Sequence, residues 1–598
     1  MKDFFKYMMA TVCGVIIVGI IGLLLLSLTL MGMLAGSDSK VKAPENSVFV
    51  LKLNGTVEER VEGALPLDFL LSSADMEVMG LDDILNAIRL ARDEENIKGI
   101  YIEGGATTFD APATAQQIRD ALADFKKSGK WVYAFGDQML QSSYYVCSVA
   151  DSVFLNATGM IDFKGMGGKN MYLTGLYEKL GVKYQCARVG KYKSAVESVT
   201  RKDMSEADHE QREALWNGIW QQWTAQMADS RKVSAADLDS LASDSIMVFA
   251  STDDYLHAGL IDRAFYPEEM QNVVRRKLGL GKDDIISQLT LTDMQNLRPS
   301  KKEKKHGEQI AVYYAYGEIV DEVMTNFYSG HTILGSKTAS DLQRLAADDD
   351  VKAVVLRVNS PGGSSVASEL IWHATQQLKL KKPIVVSMGG LAASGGYMIS
   401  SGASYIIAEP STVTGSIGIY GLIPNFNGLV TEKLGITWDG TATNKYTDYE
   451  TNLIFGSENS DEMRYLQGYT DRGYERFLEI VGNGRGMSKE QVNEIAQGRV
   501  WLASDALGIK LVDQLGSLND AVKKAAELAN VKEYYTTSYP EKEDWFDSLV
   551  NSAEKPGTYL DSELRQALGD FYEPIMQLRL DQRRHRLQAR LPFSVRAE

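Results

Sequence analysis

The second half of this sequence repeats the plan of the first at a nearly constant distance. Ile97-Lys98-Gly99-Ile100-Tyr101 returns as Val351-Lys352-Ala353-Val354-Val355, a shift of 254 positions (97 to 351). Met139 to Tyr145 returns as Leu391 to Tyr397, which sets Ser142 over Ser394 at a shift of 252 (142 to 394). Tyr255 to Asp262 returns as Ala506 to Asp513, at a shift of 251 (262 to 513). A shift held this steady means a duplicated unit, and it settles the gross organisation before any element is assigned. Arg298 to Gly307 between the copies is polar and charged, with no apolar period, and reads as a linker. The domains read from this pattern are 1–46 (stub, apolar segment and linker), 47–297 (first repeat), 298–308 (linker), 309–535 (second repeat) and 536–598 (tail).

Within a copy, strand and helix signals alternate. Ser47 to Leu53 alternates apolar and polar residues, and Asn54-Gly55 reads as a turn after it. Leu81 to Arg92 is amphipathic at helical spacing, Ile97 to Ile102 reads as a strand, Pro112 to Lys127 as a helix with proline in its first turn, and Trp131 to Phe135 as a strand. In the second copy Ile310 to Tyr314 takes the place of the first strand. Ile384-Val385-Val386 reads as a buried strand broken by Gly389-Gly390, with a helix-compatible segment at Tyr397 to Ser401. This order predicts an α/β fold of βα units.

Residues Tyr7 to Ser37 carry no charge, and Val15 to Leu34 is dense in Ile, Leu, Val and Gly. That run is long enough to span a bilayer and longer than the apolar core of a secretory signal, so an uncleaved N-terminal transmembrane helix is expected. The lysines before it (Lys2, Lys6) and after it (Lys40, Lys42) nearly balance, so charge specifies its orientation weakly. The net charge of −16 argues against a nucleic-acid partner. With three cysteines, one of them (Cys13) in the apolar run, no disulfide framework is expected. No His/Cys cluster has metal-ligand spacing and no phosphate loop is present, so no cofactor and no metal are expected. The tail ends in a basic segment, Gln577 to Arg590, which reads either as solvated chain or as a segment that docks on a neighbour, an acidic surface or anionic lipid. Trp545 to Leu549 and Leu560 to Leu568 read as short helices.

The candidate chemistry centres on Ala392-Ala393-Ser394-Gly395-Gly396. A serine among small residues at the mouth of a helix is open to a substrate, and the first-turn N–H groups favour negative charge developing beside it. The same residues also suit a plain N-cap and tight turn. A serine hydroxyl needs a base. None of the six histidines sits in a setting that nominates it. The lysine-bearing stretch Gly190-Lys191-Tyr192-Lys193 aligns with Asn444-Lys445-Tyr446-Thr447, so only the first copy has a lysine at position 193. Conversely, the first copy has Ser142-Ser143-Tyr144 where the second has Ser394-Gly395-Gly396. Each copy lacks what the other keeps, which points to one composite site at their interface.

Three motifs in order on a duplicated chain, Tyr192-Lys193-Ser194-Ala195-Val196-Glu197, Asn359-Ser360-Pro361-Gly362-Gly363 and Ala393-Ser394-Gly395-Gly396-Tyr397, resemble the long form of the signal peptide peptidase A (protease IV) family. The resemblance covers about Ser47 to Tyr535. It implies two tandem Clp-protease/crotonase-like repeats and a serine endopeptidase with a Ser–Lys dyad. Ser394 would be the nucleophile, Lys193 the general base and Ser416 the hydroxyl that positions the lysine. Backbone N–H groups of Gly395 and of the Gly362-Gly363 loop would form the oxyanion hole. The resemblance further implies a single-pass protein of the bacterial inner membrane with its catalytic body on the periplasmic side. It implies a homotetramer acting on cleaved signal peptides and other extended apolar peptides. Burial without a counter-ion would lower the lysine's proton affinity as such a base requires, and Glu197 would then have to point away from it. The alternative in a different class is a non-catalytic membrane scaffold on a decayed peptidase fold.

Overall fold

The structure is a computed structural model that describes residues 41–61, 77–298, 306–321, 331–458, 460–542 and 588–590. The apolar run at Val15 to Leu34 and the helices read at Trp545 to Leu549 and Leu560 to Leu568 lie outside the described residues. Among those described, no helix is long and apolar enough to cross a membrane.

The first repeat is built on β1 (Ser47–Glu58), β2 (Glu77–Gly80), α1 (Leu81–Asp93), β3 (Ile97–Phe109), α2 (Pro112–Lys126), β4 (Trp131–Met139), α3 (Gln141–Cys147), β5 (Ser152–Ile161), β6 (Lys183–Arg188), α4 (Glu206–Arg231), β7 (Arg263–Phe265), α5 (Pro267–Leu278) and β8 (Gln288–Leu289). Its sheet runs in the order β2-β1-β3-β4-β5-β7, with β8 also on β1, and every pairing is parallel. Helix α1 buries Leu81, Ile84, Ala87, Ile88 and Ala91, the helical stripe the sequence carries.

The second repeat follows the same plan: β9 (Glu308–Tyr316), β10 (Glu318–Val320), β11 (Thr332–Leu334), α6 (Gly335–Ala347), β12 (Val351–Ser360), β13 (Gly362–Ser364), α7 (Ser365–Lys379), β14 (Ile384–Ala393), α8 (Gly395–Ser401), β15 (Tyr405–Ala408), β16 (Val413–Gly415), β17 (Tyr420–Asn425), α9 (Asp461–Arg485), β18 (Val500–Leu502), β19 (Gln514–Leu515), α10 (Leu518–Leu528) and β20 (Tyr534–Tyr539). Its sheet has the order β18-β16-β14-β12-β9-β20, with β15 on β14 and β19 on β15. The correspondence extends to single contacts. Asp262 accepts from Val153 N–H at 2.7 Å and from Arg231 at 2.9 Å, and Asp513 accepts from Ile406 N–H at 2.8 Å and from Arg485 at 3.0 Å.

A third sheet, β11-β10-β13-β21-β17-β6, joins the copies. In it β6 of the first repeat pairs antiparallel with β17 of the second over six residue pairs, from Tyr420↔Arg188 to Asn425↔Lys183. The last strand, β21, is Gln588–Arg590 from the basic tail. The cores also merge: Ala393, Val413, Val500 and Leu502 of the second repeat lie in the first repeat's apolar cluster, with Leu215, Ile219 and Trp223 of α4.

Four local expectations change. Asn54-Gly55 is a bulge inside a continuing strand, because Gly55 at φ 115° absorbs the shift in register against β3 while pairing goes on to Val57. Gly389 and Gly390 do not break β14: a side chain at Gly390 would meet Ala111 of the first repeat, so the glycine lets the strand run on beneath the other copy. The second repeat ends at Tyr539, since β20 pairs with β9 as β8 pairs with β1. Finally, the ends of the elements set Leu140 over Ser394 in place of Ser142. Met139 closes β4 against Ile161 as Ala393 closes β14 against Gly415, and a seven-residue helix follows each cap residue.

Candidate active site

Ser394 lies between the end of β14 and the start of α8, with φ 56° and ψ −116°. A side chain in this region is strained. Leu140, the corresponding residue of the first copy, has relaxed extended geometry, φ −64° and ψ 155°. The strain of Ser394 is held by its N–H donating to Gly415 O at 2.8 Å and by Met398 N–H donating to its carbonyl at 2.9 Å. Ser416 follows β16 directly and is also in the left-handed region, at φ 50°. Two hydroxyls on neighbouring strand ends are thereby turned toward one point.

The side chain that fills that point is Lys193. Its Nζ is 2.9 Å from Ser394 Oγ, 3.0 Å from Ser416 Oγ and 3.1 Å from Ser416 O. All three residues have 0% exposure. Burial alone holds the amine well below the ordinary lysine range, and no carboxylate offsets it among the described residues. Glu197 faces away and accepts from Ser205 N–H at 3.0 Å. The other lysines of the aligned stretches are surface groups: Lys191 lies over the Tyr192 ring, and Lys445 lies over Tyr446 and pairs with Asp461 at 2.7 Å. His331 and His209 lie elsewhere, against Glu58 and Glu213.

The lysine is held from both halves. Tyr192 N–H donates to Gln497 O at 3.0 Å, and Gly498 packs against the lysine backbone. A side chain at Gly498, already at φ 80°, would stand 2.6 Å from Lys193 N, so only glycine permits the approach. Gln211 on α4 spans the junction. Its amide nitrogen donates to Tyr192 O at 3.1 Å, Ser194 Oγ at 3.0 Å and Asp208 Oδ1 at 2.8 Å, while its oxygen accepts from Val500 N–H at 3.2 Å.

Beside Ser394 lies the turn that ends β12. Gly362 and Gly363 have φ 96° and 153°. Gly362 N–H donates to Ser360 Oγ at 3.1 Å, and Gly363 stands in β13 against Ile319. A side chain at Gly363 would fall 2.0 Å from Ile319 O. The N–H of Gly395 opens α8 and, as a first-turn group, has no acceptor within its own helix.

The model for peptidase family S49 matches residues 124–280 and again 376–532, once in each repeat. The chain belongs to peptidase family S49. A Clp protease model also matches residues 313–412, within the second repeat of this S49 peptidase. Among its relatives are Protease 4 of Salmonella typhi, 35% identical over 531 residues, and Protease 4 of Haemophilus influenzae, 34% identical over 530 residues. Each match covers 86% of this chain and 84% of the relative. The chloroplastic Serine protease SPPA of Arabidopsis thaliana is 28% identical over 493 residues, 81% of this chain and 70% of that protein. The S49 peptidase described here is accordingly a serine protease with the fold of two tandem S49 repeats in a mixed α/β architecture.

Sequence reasoning missed Gln211 and the buried cluster that ties the halves together behind the site. Arg357 donates to Glu59 at 2.6 and 3.2 Å, to Gln117 Oε1 at 2.8 Å and to Ser387 Oγ at 3.0 Å. Asn359 donates to Glu59 at 3.2 Å and to Asp110 at 2.9 Å, and it accepts from Leu391 N–H at 2.9 Å, three residues before Ser394. Burial, first, and the Glu59 carboxylate push Asp110 up to about 7, against the hydrogen bonds from Thr114 and Asn359. Arg357 in the middle of an apolar strand was the visible signal, because a charge there demands a partner.

Proposed function

We propose that this serine protease is a membrane-anchored endopeptidase of cleaved signal peptides and other extended apolar chains, with Ser394 as nucleophile and Lys193 as general base. The observation that carries this is a fully buried amine with no carboxylate, 2.9 Å from the hydroxyl of a strained serine. A neutral amine has two hydrogens and one lone pair. The hydrogens suit Ser416 O and Ser416 Oγ, which leaves the lone pair to accept the Ser394 hydroxyl proton. Ser416 thereby orients the base. The alkoxide oxygen attacks the substrate carbonyl, and Lys193 returns the proton to the departing amine. Water then repeats the cycle on the acyl-enzyme, with Lys193 again as base. Gly395 N–H and the Gly362-Gly363 turn would stabilise the oxyanion.

The substrate reading draws on relatives, one of which is named Putative signal peptide peptidase SppA (Enterococcus faecium). The apolar run at Val15 to Leu34 supports a membrane anchor, and the placement in the bacterial inner membrane with the catalytic body on the periplasmic side follows the family resemblance. A homotetramer enclosing the sites would exclude folded proteins and admit extended chains. A scaffold without activity would have no use for a desolvated lysine, so the non-catalytic alternative is set aside. The test is hydrolysis of a synthetic signal peptide by the full-length protein in detergent. Ser394→Ala and Lys193→Ala should each cost at least ~10²-fold in kcat, while Lys445→Ala leaves the rate near wild type. A fully active Lys193→Ala enzyme would refute the assigned base.

A further inference from the structure

Ser416, whose carbonyl and hydroxyl hold the Lys193 amine, is itself held by a residue of the second repeat. Its N–H donates to Arg499 O at 2.7 Å, just before β18. The side chain of the same Arg499 reaches back to the first repeat. Its Nη1 donates to Tyr192 Oη at 3.1 Å and to Glu210 Oε1 at 2.8 Å. Tyr192 Oη donates in turn to Glu210 Oε2 at 3.0 Å. The guanidinium also lies over two rings, 4.9 Å from the centre of Tyr192 and 4.4 Å from that of Trp501. Tyr192 directly precedes Lys193, so these contacts close a circuit. It runs from Ser416 to the Lys193 amine, along the chain to Tyr192, through the Arg499 side chain, and back to Ser416 N–H.

The corresponding residues of the other copy are different. The six-residue helices Thr252–His257 and Ala503–Gly508 start 251 positions apart (252 to 503), which sets Val248 over Arg499. Helices α4 and α9 start 255 positions apart (206 to 461), which sets Tyr465 over Glu210. Tyr446, the counterpart of Tyr192, donates instead to Asp461 at 3.2 Å and meets the Tyr465 ring edge-on at 5.4 Å. The repeat can therefore be built without the arginine and without the glutamate. Both are present where the loop carries a buried amine. A planar guanidinium suits this place, because it can bond a hydroxyl and a carboxylate at once while stacking on rings.

We propose that Arg499 is a positioning residue of this site: its guanidinium clamps the Lys193 loop onto the strand end that carries Ser416, and so fixes the amine against the Ser394 hydroxyl. This rests on reading the Ser394–Lys193 pair as the peptidase site. Arg499 acts through Tyr192 and Ser416, not on the reacting atoms. Two consequences follow from releasing the clamp. The amine drifts from the hydroxyl, which slows proton transfer more than it weakens peptide binding. Water also gains access to the amine, which relieves the burial that weakens its hold on a proton. The Tyr192 hydroxyl, first, and Arg499 hold Glu210 below the usual carboxylate range, so this ion pair stays formed through the pH range in which the lysine is followed.

The test uses full-length protein in detergent and a synthetic signal peptide. Arg499→Met removes the bonds to Tyr192 and Glu210 and keeps an apolar stem over the rings. The expected result is a kcat lower by ~10–100-fold with KM within about 2-fold of wild type. The rising limb of kcat/KM should also move to higher pH by at least ~0.5 unit. Arg499→Lys keeps the charge but not the planar fork, and should recover only part of the rate. An Arg499→Met enzyme with wild-type kcat overturns the proposal, and so does a lower kcat with the limb unmoved. If Arg499→Met does not fold, Tyr192→Phe carries the test, since it keeps the ring and removes its hydroxyl. It should cost ~3–10-fold in kcat with the limb moved the same way, and an unmoved limb overturns the proposal. The amine is also read without hydrolysis. Melting temperatures at pH 7 of Lys193→Met and its parent are compared in the wild-type and Arg499→Met backgrounds. The gain from Lys193→Met should be smaller when the clamp is gone, because the amine is then less strained by burial. A reduced gain in a protein that hydrolyses nothing supports the clamp and overturns the peptidase reading alone, whereas an equal gain in both backgrounds overturns the clamp.

Discussion

At the scale of single residues, the site is expensive to hold. A lysine in water is charged at neutral pH, and burying one beside two hydroxyls and a carbonyl disfavours that charge. The folded amine binds its proton more weakly than the unfolded one. Between the lowered value and the ordinary lysine range the unfolded chain therefore holds more protons, and this group's contribution to stability rises with pH. Replacing Lys193 by Met removes the penalty and keeps the apolar packing. Lys193→Met should melt above wild type at pH 7, by roughly 1.4 kcal/mol for each unit by which the amine is lowered. The gap should narrow by pH 10; thermal melts of both proteins at the two pH values check it, and a Lys193→Met protein less stable than wild type at pH 7 would count against it. The same sign governs activity. In the proposed mechanism only the uncharged amine can accept the Ser394 proton, so kcat/KM should rise with pH through the lowered value and then level off, whereas a profile flat from pH 5 to 9 would speak against a lysine base.

At the scale of elements, what matters is how a loop of the first repeat is pressed against strand ends of the second. Helix α4 does this through Gln211, whose two ends bond the lysine loop and β18. Asp208, one turn earlier, receives both Ser194 Oγ (2.5 Å) and Gln211, and Arg212 balances its charge at 2.8 Å. Gln211→Leu keeps the size but lets the lysine loop drift from β18. A misplacement near an ångström typically costs about 10²-fold in rate. Gln211→Leu should therefore lower kcat by ~10–100-fold with KM nearly constant, and it should shift the pH profile because Lys193 loses its fixed partners. A Gln211→Leu enzyme with wild-type kcat and profile would show that the loop is held by other means. None of this was readable in advance. The stretch Ser205 to Leu215 is rich in charged residues, and its buried polar side chains, Asp208 and Gln211, declare themselves only when the second repeat packs over them.

At the scale of the whole molecule, the duplication was legible because both repeats need the same strands, helices and carboxylate caps, and Asp262 and Asp513 keep matching bonds. The three motifs that carry Lys193, Gly362-Gly363 and Ser394 were legible because glycines and small residues mark close approach. The pairing of β6 with β17, the strand from the tail and the junction cluster were not, since each joins segments more than a hundred residues apart without any local pattern. That cluster makes the composite site stable. Arg357 and Glu59 are 1% and 3% exposed at their side chains, one from each repeat. Removing one partner leaves an uncompensated charge in the interior and should cost about 3–5 kcal/mol, whereas replacing both with apolar residues of similar size is often near neutral. Glu59→Met and Arg357→Met should each lower stability by that amount and weaken activity, because Asn359, which bonds both Glu59 and Leu391 N–H, loses its anchor. The double variant should recover more than half of the lost stability. It should not recover activity to the same degree, because the path from Glu59 through Asn359 to the end of β14 is still cut. Urea unfolding of the four proteins, with kcat measured alongside, gives the coupling energy. Simple additivity of the two single losses would mean that the halves are held together by their apolar contacts alone.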